Sequence, residues 1–224
     1  MTGRHEYKHY INYADLLELR TRLSRVMKMD EHATAKGGYA VRSVYFDNYA
    51  DKALSEKING VDDREKFRMR LYNADSSLIM LEKKSKLKGL CYKTSARVSR
   101  DICVEVLNGD YSSLVQSEEP ILVEFYAKLK YQQLRPRTIV EYWREAYKLK
   151  PGNVRVTLDH HMRTSNQPEH FLSSSYPGFP LVNAYILEVK YDQFLPEVVR
   201  ALTALSSRPT VSFSKYAVSR IFQE

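Results

Sequence analysis

The sequence predicts an α+β protein: an antiparallel eight-stranded β-barrel that encloses a tunnel, with helices packed outside. Three observations lead to this class. Eight segments alternate apolar and polar residues with period two, which is typical of strands. Most of these segments follow one another directly, which favours hairpin connections and an antiparallel sheet. Basic side chains also recur on one parity of strand after strand.

The size and composition predict one globular domain over residues 1–224. The chain has 224 residues, of which 43% are apolar, enough for a sizeable core. No stretch approaches the roughly 18 apolar residues of a membrane span, and the charged first residues do not resemble a signal peptide. We therefore expect a cytoplasmic protein. Cys91 and Cys103 match neither a disulfide framework nor a zinc motif.

The predicted elements follow from periodicity and turn signals. Period-two alternation predicts strands at residues 3–11, 38–47, 64–73, 77–87, 90–98, 137–148, 153–163 and 182–192. Helical patterns predict helices at 13–28, 50–58, 119–133, 196–207 and 214–222, the first of them capped by Asn12. Residues 166–180 are rich in Ser, Pro and Gly and predict a long loop.

The net charge of +8 and the pI of about 9.3 favour an anionic partner. Because side chains alternate along a strand, the charged residues fall into rows on one face. These rows contain Glu6 and Lys8; Lys66, Arg68 and Arg70; Glu82, Lys84 and Lys86; Lys93; Arg144; Arg155 and Asp159; and Glu188 and Lys190. An ordinary solvent-facing sheet surface would explain any single row.

The set of rows fits a confined polar face better than a solvent surface, because nearly every strand contributes Arg or Lys. Unpaired cations inside a barrel cost several kcal/mol each to desolvate. Such a lumen is stable only if it is wet and holds a counter-anion. Phosphate suits it, since Arg offers bidentate donors and Lys a mobile point charge. The acids would either pair with lysines or hold a divalent cation.

Short motifs in a fixed order carry a resemblance to a known family. They are Arg4-His5-Glu6-Tyr7-Lys8, Val41 to Asp47, Lys66 to Tyr72, Leu81 to Lys86, Tyr142-Trp143-Arg144, Val154 to Asp159, Leu187-Glu188-Val189-Lys190 and Ser214-Lys215-Tyr216. With them the chain resembles the polyphosphate polymerase domain of the vacuolar transporter chaperone (VTC) complex. That domain belongs to the triphosphate tunnel group, together with the CYTH phosphatases and cyclases.

The resemblance implies a set of functional residues. The phosphate ligands would be Lys8, Arg68, Arg70, Lys84, Lys93, Arg144, Arg155 and Lys215, and we add Lys86 and Lys190 from the same rows. Of these, Arg68, Arg70, Arg155 and Lys215 are the expected catalytic residues. Glu188 would bind Mn²⁺ or Mg²⁺, with Glu6 and Asp159 as further ligands. Classical CYTH enzymes begin with Glu-x-Glu-x-Lys, whereas Arg4 stands first here, which favours the VTC-like branch.

The predicted activity is transfer of the γ-phosphate of ATP to a polyphosphate chain. Two alternatives remain open: a tunnel triphosphatase acting on triphosphate or nucleoside triphosphates, and a non-catalytic polyphosphate-binding module. The expected partners are ATP and polyphosphate, and a membrane-protein partner is left open. We expect no nucleic acid partner, because no helix-turn-helix, zinc-finger or RNA-recognition signature occurs.

His160 and His161 are weighed as a metal-binding pair and set aside. Neighbouring residues on a regular strand point to opposite faces, so their rings are expected to lie apart. The prediction for both is a structural or surface role.

Overall fold

The computed structural model describes residues 3–181, 185–205 and 208–221. The strands are β1 (His5–Ile11), β2 (Lys28–Met29), β3 (Tyr39–Asp47), β4 (Arg64–Tyr72), β5 (Asp75–Leu87), β6 (Leu90–Val98), β7 (Arg135–Leu149), β8 (Val154–Ser165), β9 (Phe179–Pro180) and β10 (Tyr185–Tyr191). The α-helices are α1 (Tyr13–Val26), α2 (Lys52–Ile58), α3 (Arg100–Leu107), α4 (Ser112–Val115), α5 (Pro120–Tyr131), α6 (Glu197–Thr203) and α7 (Lys215–Ile221). Short 3-10 helices occupy Pro151–Asn153 and Pro168–Leu172.

The strands are hydrogen-bonded in the order β1-β10-β8-β7-β3-β4-β5-β6, with β2 added to β7 and β9 to β8. Every pairing whose register is defined is antiparallel. The predicted α+β class with an antiparallel sheet is therefore confirmed. The chain divides into two compact units: a first unit of Met1–Ala40, Tyr142–Met162 and Pro180–Phe213, and a second unit of Val41–Glu141, Arg163–Phe179 and Ser214–Glu224. Strands β7 and β8 contribute residues to both.

In the first unit, α1 covers the apolar face of the sheet. Leu16, Leu19 and Leu23 of this helix are fully buried together with Val156 and Leu187 from the strands. The helix begins where predicted, because Asn12 and Asp15 form a reciprocal capping box with two hydrogen bonds of 2.8 Å. The charged residues of β1, β8 and β10 therefore lie on the opposite face.

In the second unit, helices α3 and α5 cover the apolar face. Phe125 of α5 stacks on Phe67 with ring centroids 5.2 Å apart, and Met69 and Leu81 are fully buried beside them. The even-numbered residues of β4 and β5 then share the other face, as the period-two pattern predicted. Each unit thus has one apolar face under helices and one charged face.

The predicted strands correspond to the observed ones within a few residues, and residues 182–184 of the eighth lie outside the described residues. Helices α3 and α4 were not predicted. The segment 166–180, predicted as a loop, contains a 3-10 helix and the short strand β9, and its Phe171 is fully buried. Among the described residues, no helix is both long and apolar enough to cross a membrane.

Candidate functional site

Three lysines lie side by side across three neighbouring strands of the second unit. Lys66 on β4 is paired with Lys84 on β5, and Lys84 is paired with Lys93 on β6. Like charges directly opposite each other on neighbouring strands destabilise a sheet. The same face of β4 adds Arg68 and Arg70. This surface therefore concentrates positive charge on neighbouring strands.

One buried carboxylate holds part of this charge in place. Glu82 is only 1% exposed, and it accepts hydrogen bonds of 2.7 Å from Arg68 Nε and Lys93 Nζ. A guanidinium nitrogen of Arg70 lies 3.6 Å from the same carboxylate. Burial alone raises the pKa of Glu82, but Arg68, Arg70 and Lys93 together hold it far below its usual value. Glu82 is therefore an anion that orients three cations and balances the charge of one.

The phenol of Tyr45 lies in the same positive field. Tyr45 is 2% exposed, and Arg68 donates a hydrogen bond of 3.1 Å to its hydroxyl. Burial raises the pKa of Tyr45, yet the charges of Arg68, Arg70 and Lys215 bring it below its usual value. Lys215 is the first residue of α7. This helix therefore adds a cation that acts on the same group as the two arginines of β4.

In the first unit, two glutamates and two lysines form a closed ring of ion pairs. Lys8 Nζ lies 2.6 Å from Glu6 and 3.3 Å from Glu188. Lys190 Nζ lies 2.6 Å from Glu188 and 3.3 Å from Glu6. The register produces the ring, because Glu6 is paired with Lys190 and Lys8 with Glu188 across β1 and β10. The ring carries no net charge when all four groups are ionised.

The burial of this ring strengthens its ion pairs. The side chains of Glu6 and Glu188 are 9% and 5% exposed. Burial by itself lowers the pKa of Lys8, but Glu188 and Glu6 raise it well above its usual value. Lys8 also donates a hydrogen bond of 3.3 Å to the carbonyl of Phe213. Lys8 is therefore held in its charged form.

Two arginines of the first unit each have an aspartate partner. Arg144 donates two hydrogen bonds of 2.7 Å to the two oxygens of Asp159, which is fully buried. Arg155 lies 2.6 Å from Asp30 and donates a hydrogen bond of 2.7 Å to the hydroxyl of Tyr39. Each arginine is thereby fixed in orientation and largely neutralised.

The two charged faces differ in their charge balance. In the first unit, the cations Lys8, Lys190, Arg144 and Arg155 are matched by Glu6, Glu188, Asp159 and Asp30. In the second unit, the charged face of β4, β5 and β6 includes Lys66, Arg68, Arg70, Lys84, Lys86 and Lys93. Among the described residues of that face, Glu82 is the single carboxylate; Lys86 lies 3.8 Å from Asp62, which is outside these strands. The positive surplus therefore belongs to this face of β4, β5 and β6.

The resemblance implies a divalent metal at Glu188, with Glu6 and Asp159 as further ligands. Carboxylate oxygens are the ligands that hard cations prefer. Glu6 and Glu188 already share the ammonium groups of Lys8 and Lys190, so the space between them accommodates positive charge. Both oxygens of Asp159 are engaged by Arg144. The residues fit a metal held by Glu188 and Glu6 in exchange for an ammonium group.

A second acidic group lies beside Arg155. Asp30, Glu31 and His32 bring three potential ligand atoms within 4.8 Å of one another. Burial raises the pKa of Asp30, but a backbone hydrogen bond from His32 and the charges of Arg155 and Lys148 hold it below its usual value. Lys148 lies 3.3 Å from Asp30 and 3.5 Å from Glu31. This group therefore supplies counter-charge to Arg155 and Lys148.

Sequence reasoning did not identify every residue of these charged faces as part of the site. Tyr45 and Tyr39 both hold arginines through their hydroxyl groups. Tyr45 lies on β3 directly opposite Arg68, so the two side chains share a face of the sheet. The alternation of β3 in the sequence was the signal that could have indicated this face. Asp30 lies between β2 and β3, where no periodicity indicates the direction of a side chain.

The prediction that the rings of His160 and His161 lie apart is wrong. Their Nδ1 atoms are 2.5 Å apart, and the ring centroids are 4.6 Å apart. His161 has a φ of 51°, in the left-handed region, which interrupts the regular alternation of β8. Strict alternation of side chains requires extended backbone at both residues, and His161 is not extended.

The fold and the charged faces define the chain as an antiparallel α+β protein with apolar faces under helices and charged faces opposite. A family model described as the VTC domain matches residues 3–221, so the chain belongs to the VTC domain family. This result confirms the resemblance carried by the motifs. No curated protein sequence matches the chain significantly.

Two solved structures have a similar fold. The PH1819 protein from Pyrococcus horikoshii OT3 aligns with a TM-score of 0.50 at 11% identity, covering 98% of each chain. A candidate adenylate cyclase from Bacillus halodurans aligns with a TM-score of 0.50 at 14% identity, covering 89% of this chain and 87% of the other. At such low identity these likenesses establish a shared fold alone.

Proposed function

We propose that this chain binds the phosphate groups of ATP and of inorganic polyphosphate and transfers the γ-phosphate of ATP to the polyphosphate chain. The observation that carries the proposal is the row formed by Lys66, Lys84 and Lys93. Several ammonium groups on neighbouring strands can contact successive phosphate groups of one polyanion through charge-assisted hydrogen bonds. Membership of the VTC domain family and the positive surplus on the charged face of β4, β5 and β6 support the same ligand class.

The chemistry of the reaction suits the residues that are present. Phosphoryl transfer depends on positioning and on stabilisation of charge rather than on covalent help from the protein. The acceptor is the end of a phosphate chain, which is already an anionic nucleophile, so no strong general base is required. Arg68 and Arg70 would align phosphate oxygens through their planar guanidinium groups. Glu82 would keep Arg68 in that orientation through its 2.7 Å hydrogen bond.

The charged residues of the first unit have a complementary role in this proposal. The cations of this unit would contact phosphate oxygens when their ion pairs with carboxylates open. These cations are Lys8, Lys190, Arg144 and Arg155. Glu188 and Glu6 would hold the divalent metal, which when bound neutralises charge on the transferred group or on the leaving diphosphate.

The decisive experiment is an incubation of the protein with ATP and Mn²⁺, followed by analysis of the products. Formation of long polyphosphate would support the transferase. Release of free phosphate without polymer would instead establish the hydrolase. Tight binding of tripolyphosphate without turnover would indicate that the protein is a non-catalytic polyphosphate-binding module.

The phosphate-binding face can be tested with neighbouring lysines on β5. Lys84→Ala is expected to weaken tripolyphosphate binding by about tenfold, because a hydrogen bond between charged groups contributes about 1.5 kcal/mol or more. Lys83→Ala is the matched control: Lys83 lies on the opposite face, where it pairs with Glu65 and Glu124. Calorimetric titration of both variants checks the prediction, and equal affinity in the two would contradict it.

The metal ligand can be tested by Glu188→Gln. This change removes one negative charge from the ring with Lys8 and Lys190. The Mn²⁺ concentration needed for half-maximal activity should therefore rise by about tenfold or more, as expected for loss of a carboxylate ligand. Binding of tripolyphosphate without metal should not weaken, since the surrounding charge becomes more positive. Glu197→Gln, on the exposed helix α6, serves as the control. An unchanged Mn²⁺ requirement in Glu188→Gln would exclude this assignment.

A further inference from the structure

The histidine pair of β8 lies on the helix-covered face of the first unit. His160 has the same parity as Val156 and Leu158, which are fully buried in the core with α1. Asp159 and Glu188 belong to the charged face. The pair is therefore separate from the carboxylates assigned above to the divalent metal.

A carboxylate fixes the orientation of the first imidazole. Glu145 Oε1 lies 3.0 Å from His160 Nε2, and Arg20 donates two hydrogen bonds of 2.9 and 2.6 Å to the two oxygens of Glu145. An ionised carboxylate can only accept hydrogen bonds, so Nε2 of His160 carries a proton. In the neutral ring, Nδ1 then carries a lone pair and can act only as an acceptor or as a metal ligand. Histidines that bind metals commonly donate their other ring N–H to a carboxylate in this way.

The second imidazole is brought to the same point by an unusual backbone conformation. The left-handed φ of 51° at His161 is uncommon for a residue other than glycine. It places the Nδ1 atom of His161 2.5 Å from Nδ1 of His160. Two imidazole nitrogens at one point can share a proton or bind one metal ion. Bonds of 2.0–2.1 Å to a tetrahedral ion require the two nitrogens to be about 3.3 Å apart, so a small rotation of the exposed His161 ring would admit the ion.

We propose that His160 and His161 form a bidentate site for a borderline divalent transition metal ion such as Zn²⁺, with Glu145 as the residue that positions His160. Imidazole nitrogen suits such ions, whereas Mg²⁺ and Mn²⁺ prefer oxygen ligands. His161 is exposed and His160 is buried, so the remaining coordination positions face solvent and are available to water or an added ligand.

Titration of the full chain with Zn²⁺, prepared without a histidine tag, tests this site. The wild-type protein should bind one Zn²⁺ through this pair, and His161→Asn should weaken binding at least tenfold. Asparagine tolerates positive φ, so this variant removes the imidazole and keeps the backbone conformation. His32→Ala is the matched control, because His32 belongs to the acidic group with Asp30 and Glu31. Wild-type affinity in His161→Asn, or loss of binding in His32→Ala, would overturn the proposal.

Two further measurements separate this site from the carboxylate ring. Glu188→Gln should leave the Zn²⁺ affinity unchanged. Electron paramagnetic resonance with Cu²⁺ should show coupling to two imidazole nitrogens in the wild-type protein and to one in His161→Asn. Equal nitrogen coupling in both proteins would count against the pair.

Glu145→Gln should weaken Zn²⁺ binding by about tenfold, as is typical when a partner of a ligating histidine is lost.

Discussion

Glu82→Gln is expected to lower the free energy of unfolding by about 3 kcal/mol. Removing one partner from a buried charged group typically costs 3–5 kcal/mol, because the remaining charges are left without compensation. Here Arg68, Arg70 and Lys93 would lose their shared anion. Urea denaturation measures the change. Glu65→Gln is the control: the Glu65 side chain is 24% exposed and pairs with Lys83 and Lys128, so its ion pairs are partly solvated and their loss should cost less than that of Glu82.

Tripolyphosphate should recover much of the stability that Glu82→Gln loses. An anion that binds the native state stabilises it according to its concentration relative to Kd. The variant has a larger positive surplus beside Lys66 and Lys84, so the added anion should raise its Tm more than that of the wild-type protein. The absence of any increase in Tm in both proteins would contradict the binding of polyphosphate by this face. An equal loss of stability in Glu82→Gln and Glu65→Gln would contradict the role of the buried carboxylate.

The same carboxylate predicts a pH dependence. Burial raises the pKa of Glu82, but Arg68, Arg70 and Lys93 hold it far below the usual 4.5. The unfolded chain therefore binds a proton at a higher pH than the folded chain does. The stabilisation is complete above about pH 5 and is lost progressively as the pH falls below about 4.5. Glu82→Gln should lose less stability than the wild-type protein between about pH 5 and pH 3.

Asp159→Asn is expected to cost about 3–5 kcal/mol of stability. Asp159 is fully buried, and both of its oxygens accept hydrogen bonds from Arg144. Burial lowers the pKa of Arg144, yet Asp159 keeps it well above the usual value. A guanidinium group is not deprotonated in proteins, so Arg144 remains charged in the variant and loses its anionic partner. Thermal and urea denaturation measure the loss.

A surface ion pair provides the control for Asp159→Asn. Glu18 and Arg22 are both exposed on α1, so Glu18→Gln should change stability by about 0.5 kcal/mol or less. The freed charge of Arg144 also predicts a stronger affinity of Asp159→Asn for tripolyphosphate than that of the wild-type protein. If Asp159→Asn lowers the free energy of unfolding by less than about 1 kcal/mol, the expected contribution of the buried Arg144–Asp159 pair is contradicted.

The strands could be predicted because their apolar side chains alternate over long segments. Phe67, Met69 and Leu71 are buried on β4, and the residues between them carry the charge. Helix α3 was not predicted, because part of its apolar pattern resembles that of a strand. Its residues Ile102, Val104 and Val106 alternate like a strand, and β-branched residues have a low helix propensity. Ser99, which caps the helix by accepting a hydrogen bond from the Ile102 N–H, was the available signal.

By itself, the sequence determined which side chains share a face of each strand and which chemical groups those faces present, because alternation is a local property of extended backbone. Only the tertiary structure decided which charges meet. The register between β4 and β5 places Glu82 opposite Arg68, and hydrogen bonds join Glu82 to Lys93 and Asp159 to Arg144. A shift of one residue would exchange the faces, and sequence periodicity does not fix the partner across a strand. The left-handed backbone at His161 likewise depends on its surroundings, and it unites two rings that alternation separates.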